Sequence, residues 1–165
     1  MESTTQRIIE FLKSIGIPVE YADISAEDQF LPGMCIRNSG LVIDINSLKH
    51  PGDLLHEAGH LAVTAPAKRA TMNGKVANNS DEDIGEEIMA IAWSYAAAIR
   101  LQLDPKIVFH DDGYKGDSDH ILRNFSQGYY IGVPMLQWIG LAYDFKNAKE
   151  NNVDPYPHMI KWVRE

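Results

Sequence analysis

Apolar residues recur at Ile8, Leu12 and Ile15, an i, i+4, i+7 stripe that Ile9 and Phe11 broaden, so the chain is expected to open with a helix. Ser3 or Thr4 supplies its cap, and Gly16 with Pro18 stops it. Between 19 and 46 the pattern turns extended. MCIR and LVIDI flank the turn signal Asn38-Ser39-Gly40, which predicts a hairpin. Its second strand leads into LLHEAGHLAV, predicted as a helix entered near Pro51 and running to about Ala65 before Pro66. Residues 66–80 are polar and turn-rich and read as a loop or lid. Ser80 then caps a long helix whose acidic start, Asp81, Glu82 and Asp83, complements the helix dipole, and Asp104-Pro105 ends it beyond Leu103. IVFH at 107–110 suggests a short strand, and DDGYKGDSD a surface loop. Further helices are expected from Ser118 to Gly128, from Pro134, and after Pro157.

The fold class expected from these elements is α+β: a small mixed or antiparallel sheet packed on two long helices, with additional C-terminal helices. With 165 residues, 45% of them hydrophobic, the chain suits a single domain, residues 1–165, with a core at about 5–105 and a helical extension at 106–165. A net charge of −8 without a Lys/Arg cluster argues against direct nucleic-acid binding. Cys35 is the single cysteine, so no intrachain disulfide forms and a reducing, cytoplasmic setting is expected. The N-terminus is neither basic nor followed by an unbroken apolar run, so no signal peptide is expected, and no apolar segment of about 18 residues predicts a membrane span.

Candidate chemistry centres on His56-Glu57-Ala58-Gly59-His60. On a helix, i and i+4 share a face, so both imidazoles can meet one ion while Glu57, displaced around the axis, reaches a water instead. Zinc brings a bound water to a pKa of about 7, and a carboxylate beside it can act as the base in peptide hydrolysis. The competing explanation is a pair of histidines satisfied by hydrogen bonds in a core. The surrounding Leu54, Leu55, Leu61, Ala62 and Val63 make two unpaired histidines and a glutamate costly there, which favours a metal.

Catalytic zinc takes three protein ligands and an open position. The metzincin continuation fails, because Val63 and Pro66 stand where a glycine and a third ligand belong. Cys35 is a formal thiolate alternative, its ordinary reading being a small buried hydrophobe. The long helix DIGEEIMAIAWSYAAAI offers better candidates: Glu87 shares a stripe with Ala90, Ile91 and Ser94 that borders the buried side. Glu86 competes, though it also reads as a solvated carboxylate at the helix start. Gly59, costing about 1 kcal/mol within a helix, leaves room for another backbone near the metal or for tight helix packing. His110, Tyr114, His120 and Arg123 are candidate oxyanion donors. The strand from Leu41 to Ile45 is a candidate edge for an extended substrate.

SIGI, VIDIN, LLHEAGH and EEIMAIAWSYAAA together resemble the ImmA/IrrE family of small bacterial and phage metallopeptidases, over roughly residues 5–105. The resemblance implies a zincin-like minimal domain with a gluzincin-like site: His56, His60 and Glu87 as zinc ligands, Glu57 as catalytic base. It also implies a protein or peptide substrate, since family members include proteases that cleave helix-turn-helix repressors. A protein-binding module that retains the zinc site and hydrolyses little is the alternative function.

Overall fold

A computed structural model describes residues 3–27, 31–74 and 81–165. Among them the chain forms seven α-helices and one three-stranded mixed sheet, an α+β arrangement. Helix α1 (Thr4–Ser14) starts where the Ser3 hydroxyl accepts the Gln6 N–H at 3.2 Å. Its stripe is buried through Ile8, Ile9 and Leu12.

The hairpin forms as expected, β2 (Met34–Arg37) with β3 (Gly40–Ile43). Asn38 and Ser39 both hold left-handed dihedrals, φ 50° and 65°, which suits the two-residue turn that matches strand twist. A third strand, β1 (Val19–Tyr21), pairs in parallel with β3, Val19 opposite Leu41. The sheet order is therefore β1-β3-β2, and β3 is central, buried at all four positions. This corrects the expectation that Leu41 to Ile45 offers a free edge: β3 is bonded on both sides. At β2, the Ile36 carbonyl accepts the Gly74 N–H at 2.8 Å, so that edge is engaged as well.

Two helices carry the centre of the molecule. Helix α2 (Asp53–Val63) holds the histidine pair, and α4 (Asp81–Arg100) packs along it. Gly59 makes the approach possible. A Cβ there would lie 2.9 Å from the Ala90 carbonyl oxygen and 3.2 Å from its Cα, so the backbone that passes Gly59 is that of α4. Gly59→Ala should therefore destabilise the protein by roughly 1–2 kcal/mol, even though alanine is the better helix former, because rigid backbone must move apart. It should also weaken metal binding, since Glu87 sits one turn before Ala90. Thermal denaturation and zinc titration check both; a raised Tm would contradict the packing argument.

The end of α2 is held by arginines. From the short helix α3 (Pro66–Arg69), Arg69 donates to the carbonyls of Leu61 at 2.6 Å, Thr64 at 2.9 Å and Arg164 at 2.6 Å. The Arg164 N–H in turn donates to Ala62 O at 2.8 Å. The expected cap Ser80 lies outside the described residues, as does the 75–80 part of the expected lid.

Beyond α4 the chain departs from expectation in two places. IVFH is not a strand: Pro105–Ile107 is a 3₁₀ turn, capped by the Asp104 carboxylate on the Lys106 N–H at 3.0 Å. Its tightness buries Val108 and Phe109 without sheet pairing. Helices α5 (Ser118–Ser126) and α6 (Val133–Trp138) form as expected, and the last helix is α7 (Phe145–Glu150), capped by Asp144. No helix follows Pro157. The tail's carbonyls are spent on tertiary bonds instead, with Trp93 Nε1 donating to Trp162 O at 2.8 Å and Arg69 to Arg164 O. Tyr156, fully within the core, donates from its hydroxyl to Ala92 O at 2.7 Å. Among the described residues, no helix is long and apolar enough to cross a membrane.

Candidate metal centre

Helical spacing puts His56 and His60 edge to face, ring centroids 4.7 Å apart, with their Nε2 atoms 3.1 Å from one another. Glu87 reaches across from α4: one carboxylate oxygen lies 3.0 Å from His60 Nε2 and the other 3.5 Å from His56 Nε2. A tetrahedral ion at about 2.0–2.1 Å from N or O donors separates those donors by about 3.3 Å. The three distances bracket that value. Two imidazole lone-pair nitrogens and one carboxylate, converging from two packed helices, thus form a donor set that fits zinc.

Glu57 stands beside this set on α2. Its carboxylate, His56 and His60 form a cluster whose potential ligand atoms all lie within 4.8 Å of one another. Burial pushes the Glu57 carboxyl above its ordinary range; His60 opposes this, while the charges of Glu87 and Asp53 add to it. Glu87 behaves oppositely. Burial alone raises it, but its hydrogen bonds to His56 and His60 prevail and hold it well below the usual carboxylate range. Helix α2 therefore presents a proton-seeking carboxylate next to one held ionised by two imidazoles.

Glu86, the competing candidate, points elsewhere. It is 4% exposed, not solvated, and its carboxylate pairs with Lys68 Nζ at 3.0 Å. Cys35 is half-buried on β2, and burial raises its thiol pKa. It joins no potential ligand cluster among the described residues.

The four candidate oxyanion donors separate. His120 and Arg123 are exposed on α5, His120 bonded to Asn124 at 3.1 Å. His110 pairs through Nε2 with Asp53 at 2.9 Å. Tyr114 enters the site, its hydroxyl 2.8 Å from His56 Nδ1, on the far side of the ring from Glu87. Burial, then Glu87, Asp53 and Glu57, raise its pKa well above the usual phenol value, so it stays neutral. Sequence reading placed Tyr114 near the chemistry without finding this contact.

A second cluster, His50, His110 and Asp112, lies near the start of α2. It is a poor ion site. The two rings stack at 3.8 Å with 13° between planes, which aims their in-plane lone pairs in parallel, not at one point. Lys49 also places an ammonium 2.9 Å from Asp112. His60 Nδ1 and His110 Nδ1 are buried with no hydrogen-bond partner among the described residues.

No protein-family model, curated protein or solved structure matches the chain.

Proposed function

We propose that this protein is a zinc-dependent peptidase of the zincin-like type, acting on peptide bonds in a protein substrate. The observation that carries the reading is the convergence of His56 Nε2, His60 Nε2 and the Glu87 carboxylate within 3.0–3.5 Å of each other, beside a free carboxylate on the same helix. The resemblance of LLHEAGH and its flanks to the ImmA/IrrE family supports it and suggests a cytoplasmic regulatory protein, such as a repressor, as substrate.

His56, His60 and Glu87 would hold the ion. Zinc, when bound, supplies a Lewis acid that polarises a peptide carbonyl and makes water acidic enough to attack it near neutral pH. Glu57 accepts the proton of the attacking water and delivers it to the leaving amine, so that one carboxylate serves both half-steps. Its pKa, raised by burial, suits a group that must both take and return a proton. Glu87 would face the ion as a carboxylate ligand from α4 and takes no part in that transfer.

The test is cleavage of unfolded protein substrates by zinc-loaded protein, followed by mass spectrometry of the fragments. Cleavage should stop with a chelator and return with zinc. Stoichiometric zinc without any cleavage, together with stable capture of a partner, would instead establish a binding module.

A further inference from the structure

We infer that Tyr114 is the positioning residue of the metal centre: its hydroxyl holds the His56 ring with the proton on Nδ1, which leaves the Nε2 lone pair for the ion. This rests on the zinc reading above and adds which atom outside the ligand set makes His56 a ligand.

Geometry carries the argument. A ring that binds an ion through Nε2 keeps its proton on Nδ1. The Tyr114 phenol oxygen lies 2.8 Å from His56 Nδ1, with the two rings edge to face at 85°, and is placed to accept that proton. A metal-bound histidine commonly needs such an outer partner to fix its tautomer and ring angle. Among the described residues His60 has none at Nδ1, so the two ligands are held by different means.

The loop is built to deliver that hydroxyl. Tyr114 adopts φ 53°, a left-handed conformation that a bulky side chain pays for and that persists only where its surroundings enforce it. Three ties enforce it. His110 bonds Asp53, the first residue of α2; Asp112 bonds Lys49 and His50; and the Ser118 hydroxyl donates to His110 O at 2.7 Å. Gly52 lets the loop's approach come this close, because a Cβ there would overlap the Ile107 carbonyl. A phenol that only filled space would not require a strained backbone or a hydroxyl in register with an imidazole nitrogen.

The experiment uses the full chain, titrated with zinc against a chromophoric chelator, with the imidazole N–H protons followed by NMR. Tyr114→Phe should weaken zinc binding roughly 10- to 100-fold and make the His56 Nδ1 proton exchange rapidly. The Tm of the metal-free protein should barely move. Tight zinc binding by the wild type, with affinity and imidazole signal unchanged in Tyr114→Phe, would overturn this inference and leave the zinc site standing. A wild type that takes up no zinc would overturn both. Should Tyr114→Phe not fold, the zinc-loaded wild type decides: a slowly exchanging His56 Nδ1 proton supports the inference, and its absence refutes it.

Discussion

Glu57→Gln should bind zinc as tightly as the wild type and lose about 100- to 10,000-fold of its peptide hydrolysis. The substitution keeps the shape of the side chain and removes only its ability to hold a proton. None of the three short contacts among His56, His60 and Glu87 involves Glu57, so the donor set survives. Removing a carboxylate that burial makes costly to ionise should also leave the fold at least as stable. Metal analysis, thermal denaturation and a cleavage assay on the same sample separate the three effects. Cleavage at the wild-type rate would refute the assignment of Glu57 as base, whatever the metal content.

A second substitution pair decides the ligand set. Glu87→Gln should lose zinc more severely than the roughly 10- to 100-fold expected for an outer-shell change, because an amide replaces the carboxylate that reaches both imidazoles at 3.0 and 3.5 Å. Glu86→Gln should keep full zinc content. Glu86 is occupied by Lys68, so weakening that pair bears on stability and leaves the ligand set in place. The two neighbours thus provide matched controls, differing by one position on the helix. Equal zinc loss in both variants, or loss in Glu86→Gln alone, would overturn the assignment.

Much of the site was legible before any coordinates because its logic is local. The i, i+4 spacing of His56 and His60 survives any tertiary context that keeps the helix, and the stripe of Glu87, Ala90 and Ser94 is what turns Glu87 toward both imidazoles. The hairpin was legible for the same reason, its turn being written in Asn38 and Ser39. Pairing between distant segments was not. The parallel match of Val19 with Leu41 leaves no local trace, although the unbroken apolar run LVI is what a strand covered on both faces looks like. Glu86 read as solvated because its partner, Lys68, arrives from a different helix. Tyr114 hid within an Asp- and Gly-rich stretch that composition assigns to the surface. The tail after Pro157 folds by tertiary hydrogen bonds to Trp93 and Arg69 and so carries no periodicity to read.

Those same tail bonds bear on how far the molecule can be trimmed. Arg164 and Arg69 clasp the last carbonyls of the histidine helix, while Trp162 and Tyr156 seal the middle of its neighbour. A fragment ending near Pro105 would contain every proposed ligand, yet it would expose the Trp93 indole and strip the Arg164 bonds to the Ala62 and Val63 carbonyls at the end of α2, leaving only those of Arg69. The helices that carry the ligands lean on residues beyond 105, so cutting at the boundary that the ligands alone would suggest should lower the stability of both.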